Sequence, residues 1–173
     1  MRLRLTIAAV VALALPATAS ADLTPRSKLS TAGLGPVKIG MSRERAERAA
    51  GMDLVWMGPA LNGCRYLRPQ DRDVRASFMV RNRRIVRVDV HRRGIRTVSG
   101  FRVRDREQAV RDRFAGRLRI TPHEYVQGGW YLEYVPRDRE DRNRRVVFET
   151  DGERVTYIRA GRLPEARWIE GCA

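Results

Sequence analysis

The sequence predicts an α+β protein made of two repeats, each a short helical start followed by an antiparallel β-meander. Three observations predict it. A charged helix stopped by glycine occurs twice, at 42–51 and 105–116. Each is followed by short runs rich in β-branched and aromatic residues, the pattern of half-buried strands. Matched residues also recur between the halves, as Glu44/Glu107, Tyr66/Tyr131, Phe78/Phe148, Ile85/Val155 and Val88/Ile158. Their offset grows along the chain, as it must if the extra residues Arg137 to Asn143 lengthen one loop of the second half.

In chain order, the start reads Met1-Arg2-Leu3-Arg4, an apolar run from Leu5 to Leu15, then Pro16-Ala17-Thr18-Ala19-Ser20-Ala21. Basic residues, a short apolar stretch and small residues before a cut are the parts of a secretory signal peptide. The run is well short of the roughly 20 residues that span a bilayer. Residues 1–21 are therefore expected to be removed, after Ala19 or Ala21, leaving a soluble periplasmic or secreted product. No cysteine lies near the cut to carry a lipid. Residues 22–33 hold Pro, Ser and Thr and read as a flexible linker.

Repeat module 1 spans 34–96. Ser42 is placed to cap its helix, Glu44 suits the first turn and Gly51 the stop. Strands are expected at Cys64–Leu67, Val74–Val80 and Arg84–Val90, with the last uncertain in register because Val86, Val88 and Val90 cannot share a face with Ile85. Repeat module 2 spans 97–173. Asp105 takes the cap position and Gly116 the stop. Its strands are expected at Trp130–Val135, Arg145–Thr150 and Arg154–Arg159, with Asp151-Gly152 as a hairpin turn.

The formal charge is +15, from 35 Lys and Arg against 20 Asp and Glu. Only Lys28 and Lys38 are lysines. Such an arginine excess suits an anionic partner and also follows from a GC-rich genome. Acidic residues are interspersed, as in Arg104-Asp105-Arg106-Glu107, which reads as a solvated, internally paired surface. A nucleic-acid partner does not fit the exported address. Cys64 and Cys172, an even pair in an exported chain, are expected to form a disulfide. With His91 and His123 they lack ligand spacing, so no metal or cofactor is expected.

The string Gly35-Pro36-Val37-Lys38-Ile39-Gly40-Met41-Ser42, followed by a charged helix closing on Gly51, resembles the opening of the small outer-membrane assembly lipoproteins of the SmpA/OmlA type and of the tandem β-lactamase inhibitory proteins. The resemblance implies a helical start followed by an antiparallel sheet. The inhibitors carry two such copies in one secreted chain with disulfides. The sharp match covers 35–51; the second copy has Arg104-Asp105 in place of Gly-Met-Ser, and no inhibitory loop is matched.

No nucleophile elbow, zinc helix or phosphate loop is present. The function expected is an exported non-enzymatic binding or inhibitor-like protein. Its sheet face, rich in arginine and aromatics, would meet an envelope protein or an anionic envelope component. The candidate binding residues are Tyr125, Trp130 and Tyr131, around the turn Gly128-Gly129, with Arg84, Arg87 and Arg93 on the basic hairpin. The alternative is a small periplasmic enzyme using His123 and Glu124 as an acid–base pair.

Overall fold

The computed structural model describes residues 22–173; the expected signal peptide, 1–21, lies outside the described residues. The fold is α+β, with two short helices and mostly antiparallel strands. Strands β1 (Lys28–Ser30), β2 (Gly33–Leu34) and β3 (Val37–Lys38) precede helix α1 (Arg43–Ala50). Then come β4 (Leu54–Leu61), β5 (Cys64–Pro69), β6 (Ser77–Arg81), β7 (Arg84–Val90) and β8 (Arg96–Thr97). Helix α2 (Glu107–Arg113) leads to β9 (Leu118–Pro122), β10 (Trp130–Tyr134), β11 (Arg144–Thr150) and β12 (Val155–Arg162). A 3₁₀ turn, Glu165–Arg167, begins the C-terminal segment.

Eight strands form one antiparallel sheet in the order β4-β5-β6-β7-β12-β11-β10-β9. The order runs outward in both directions from the β7/β12 pair, so each half contributes a helix and then four strands. Tyr66 and Tyr131 lie on strands equally far from that seam, as do Phe78 and Phe148. The two halves share one hydrophobic cluster as well as one sheet. At the seam the backbones approach closely. A Cβ at Gly161 would meet the Val86 carbonyl at 2.5 Å, so only glycine fits there.

The caps are formed unequally. Ser42 accepts the Arg45 amide at 3.3 Å, and Gly51 ends α1 in the left-handed region at φ 65°. In the second half Asp105 does not cap; its carboxylate accepts from the Arg102 amide at 2.9 Å, and the cap position falls to Arg106, which makes no side-chain cap bond. Glu44 and Glu107 also part company. Glu44 is exposed, whereas Glu107 is buried and accepts from the Thr150 hydroxyl.

The uncertain register of β7 has a physical answer. Met79 pairs with Arg87 but Val80 with Ile85, so Val86 is the extra residue of a β-bulge. The bulge puts Ile85 into the main core with Val88 and Val90, while Val86 joins Cys64 and Met79 on the other side. Beyond the reach of β12, the Ile85 amide donates to the Met41 carbonyl at 2.9 Å and its carbonyl accepts from Gly40 at 2.7 Å. The segment entering α1 thus occupies groups that the sheet leaves open.

Beyond the small sheet, two strands of the large sheet were not expected from sequence. β4 contains Gly58-Pro59, and its pairing is interrupted between Met57 and Leu61; β9 ends in Pro122. Both are edge strands, where proline is tolerated.

Residues 22–33 are a correction to the linker reading. They build β1 and the entry to β2, the Leu23 amide donates to the Ala50 carbonyl at 3.0 Å, and Leu23 and Leu29 are buried. Two leucines spaced among polar residues are enough to tie the segment to the core. Leu29→Ala is therefore expected to cost about 2–5 kcal/mol, as for other buried leucines, where a linker residue would cost nothing measurable. Urea unfolding of the two proteins would measure it.

Candidate functional site

The helices and the small β3-β2-β1-β8 sheet cover one face of the large sheet. The other face carries a row of charged and aromatic side chains from both halves, crossed by the C-terminal segment 163–173. On β7, Arg87 is 1% exposed and lies against the Asp89 carboxylate at 2.9 Å. It donates to the Tyr66 hydroxyl at 2.6 Å and to the carbonyls of Glu165 and Trp168 at 2.8 and 2.6 Å. From β12, Arg159 pairs with Glu149 at 2.8 Å and donates to the same Trp168 carbonyl at 3.0 Å. Two buried arginines, one from each half, thus hold the segment over the seam. A disulfide between Cys64 and Cys172, Cα atoms 5.4 Å apart, fastens its far end to β5.

Further along, Glu133 on β10 accepts from Arg145 at 2.9 Å and from both Nε and a terminal nitrogen of Arg167 at 2.7 Å. Burial alone would raise the Glu133 carboxyl, but these two arginines outweigh it and hold the group below the usual carboxylate range. Burial would also raise Glu165, but a hydrogen bond from its own backbone amide, then those from Arg162 and Arg81, hold it below the usual range. Desolvation raises the Tyr66 and Tyr157 phenols, with the Asp89 charge adding to it. The face is thus a closed ionic layer in its middle, with Glu133 and Glu165 held ionised and the Tyr66 and Tyr157 phenols held neutral.

The six candidate binding residues do not form one site. Arg87 is buried in the ionic layer, and this corrects its reading as a surface contact. Sequence placed it on an alternating hairpin, but β7 is central and buried on both faces. Tyr131 is 7% exposed, with Arg159 over its ring. Trp130 is half-buried against the main core and carries Arg111 at 5.4 Å. Tyr125 is 65% exposed and donates to Glu170 at 2.6 Å. Arg84 is exposed and donates to the Gly40 carbonyl, and Arg93 is exposed in the turn after β7. His123 does not pair with Glu124. Its Nδ1 accepts the amides of Tyr125 and Val126 at 3.1 and 3.2 Å, its ring stacks on Tyr131, and its Nε2 is 3.6 Å from Glu149. Glu124 is exposed. Among the described residues no three His, Cys, Asp or Glu side chains converge as metal ligands.

An uncovered part of this face, beyond the segment, forms a groove of about 410 Å³. Arg68, Arg72, Arg75 and Arg92 line it against a single carboxylate, Asp73, with Met57 and Ser77 also in the lining. Among the described residues no carboxylate lies within salt-bridge distance of these four arginines. His91 stacks on Tyr157 beside them. Sequence reasoning missed Arg68, Arg72 and Arg75. Their signal was a basic spacing through 65–75, which Asp71 and Asp73 masked.

No helix among the described residues is long and apolar enough to cross a membrane. No family model matches the sequence, and no curated protein does. Among solved structures the chain is similar to the uncharacterized protein yfeY from Escherichia coli, at 15% identity and a TM-score of 0.51, over 79% of this chain and 100% of that one. It is also similar to an extracellular protein containing a SCP domain from Bacillus anthracis str. Ames, at 12% identity and a TM-score of 0.46, over 72% of this chain and 44% of that one. Neither is described as an assembly lipoprotein or a β-lactamase inhibitor. At these identities the likeness to yfeY is one of fold.

The ionic layer sets a pH dependence. A carboxyl held low in the folded state adds stability above its unfolded pKa, and that stability is lost as pH falls through the folded value. Glu133→Gln is expected to lower stability at neutral pH and to flatten the acid limb of the profile. Chemical unfolding between about pH 3 and pH 7, the range over which carboxylates titrate, checks both.

Proposed function

We propose that the mature chain is an exported, non-enzymatic binding protein that holds an anionic envelope polymer in the groove of Arg68, Arg72, Arg75 and Arg92. The observation that carries this reading is the contrast within one sheet face. Most arginines of the ionic layer are matched to carboxylates, whereas the groove gathers four around one aspartate and leaves them unpaired. Guanidinium groups suit sulfate, phosphate and carboxylate because their planar fork donates two hydrogen bonds at once. Export is supported by the signal-like residues 1–21 and by the disulfide, which persists in oxidising compartments. The reading as an enzyme using His123 and Glu124 has less support, because His123 spends Nδ1 on two backbone amides and faces Glu149 instead.

The test is binding of a labelled sulfated oligosaccharide and of a short polyphosphate at low and moderate salt. Replacing Arg72, Arg75 and Arg92 together by alanine is expected to weaken binding about tenfold or more. Replacing Arg137, Arg139 and Arg142, an equal charge in an exposed loop, is expected to change it less than about threefold, since distant charges act only through the screened field. Equal loss in both triple variants, or no binding of either probe, would sink the proposal.

A further inference from the structure

A separate cavity of about 330 Å³ lies on the core side of the sheet, where α2, the β1/β8 pair and the residues following β10 meet. Its volume falls at the small end of the range for small-molecule sites, about 300–1,000 Å³. Its apolar lining includes Leu29, Phe114 and Phe148. Phe114 and Phe148 belong to one aromatic cluster, with ring centroids 6.0 Å apart, so this wall is fixed by the core itself.

The formal charges of the polar lining balance, but they are not paired with one another. Two arginines, Arg113 and Arg117, line the cavity with Asp138 and Asp141. Asp141 is already engaged, by the Thr31 hydroxyl at 2.5 Å and by Arg144 at 3.0 Å. Arg117 lies over the Tyr134 ring at 4.7 Å and donates to its hydroxyl, yet its buried Nε has no hydrogen-bond partner among the described residues. Arg113 is exposed, and no carboxylate among the described residues lies within salt-bridge distance of it or of Arg117. Asp141 is taken up by Arg144 and Thr31, so Arg113 and Arg117 line the cavity beside an aromatic wall with no carboxylate paired to either.

We infer that this cavity binds a small carboxylate carrying an aromatic or aliphatic group, with the carboxylate at Arg113 and Arg117 and the apolar end against Phe114 and Phe148. One charge-assisted contact fixes orientation and the apolar wall supplies burial, the division usual in small-molecule pockets. The site is independent of the arginine groove, which lies on the other face of the sheet. The same chemistry is offered by a free acid and by the last residue of a peptide.

The experiment is titration of the purified mature protein with 3-phenylpropionate, octanoate and N-acetylphenylalanine, followed by calorimetry and by amide resonances of residues 97–99 and 113–118. Saturable binding of at least one of them is expected, with the uncharged 3-phenylpropionamide weaker by about tenfold or more, since charge-assisted bonds are roughly twice as strong as neutral ones. Preference for the first two marks a free acid, and preference for the third a peptide end. Arg113→Gln, at an exposed position, is expected to weaken binding without shifting the melting temperature. Arg117→Gln should weaken it further, with folding checked by the same melt. Absence of saturable binding by all three probes, equal binding of acid and amide, or indifference to Arg113→Gln would overturn the inference. Sulfated-oligosaccharide binding by the Arg113→Gln protein should remain as in the parent, which separates failure here from failure at the groove.

Discussion

Burial of charge on the second face of the sheet is the constraint on which the architecture rests. Arg87, Asp89 and Arg159 sit on the two central strands, removed from water. Desolvating such groups is expensive unless each finds a partner with good geometry. The partners come from four places in the chain: Tyr66 on β5, Glu149 on β11, and the carbonyls of Glu165 and Trp168 beyond the last strand. The C-terminal segment is therefore part of the solvation of the seam, and its path follows from where those two arginines need acceptors.

The same constraint sorts the arginines. Those within the layer are spoken for, and they rigidify the face without offering it to a partner. Those outside, around the 70–76 turn and after β7, keep their full donor capacity. A strongly basic composition is in this sense two populations with different physics, and only burial separates them.

Much of the framework could be read from residues alone. Ser42 and Gly51 announced α1 through their caps, Asp151-Gly152 announced the last hairpin, and the two cysteines announced their bridge. Local chemistry decides such features, so they are legible in a window of a few residues. What escaped depends on neighbours far along the chain. Leu23 and Leu29 look like isolated apolar residues until α1, β2 and β8 are placed beside them. The Gly-Pro of β4 argues against a strand unless the strand is known to be an edge. Arg87 looked exposed because alternation assigns a face but not what covers it, and its cover arrives some 80 residues later. The candidate groove was harder still, since its arginines are shared between β5, the 70–76 turn and the end of β7.

The bridge between Cys64 and Cys172 carries one more implication. Its two cysteines are 108 residues apart, and the second follows every strand of the sheet. While the chain emerges, Cys64 has no mate until every strand of the large sheet has been made. The covalent link therefore cannot form while the strands are still being made, and once formed it fastens the end of the chain to β5. Reduction should thus free only the last few residues, because Arg87 and Arg159 still hold the segment at Trp168.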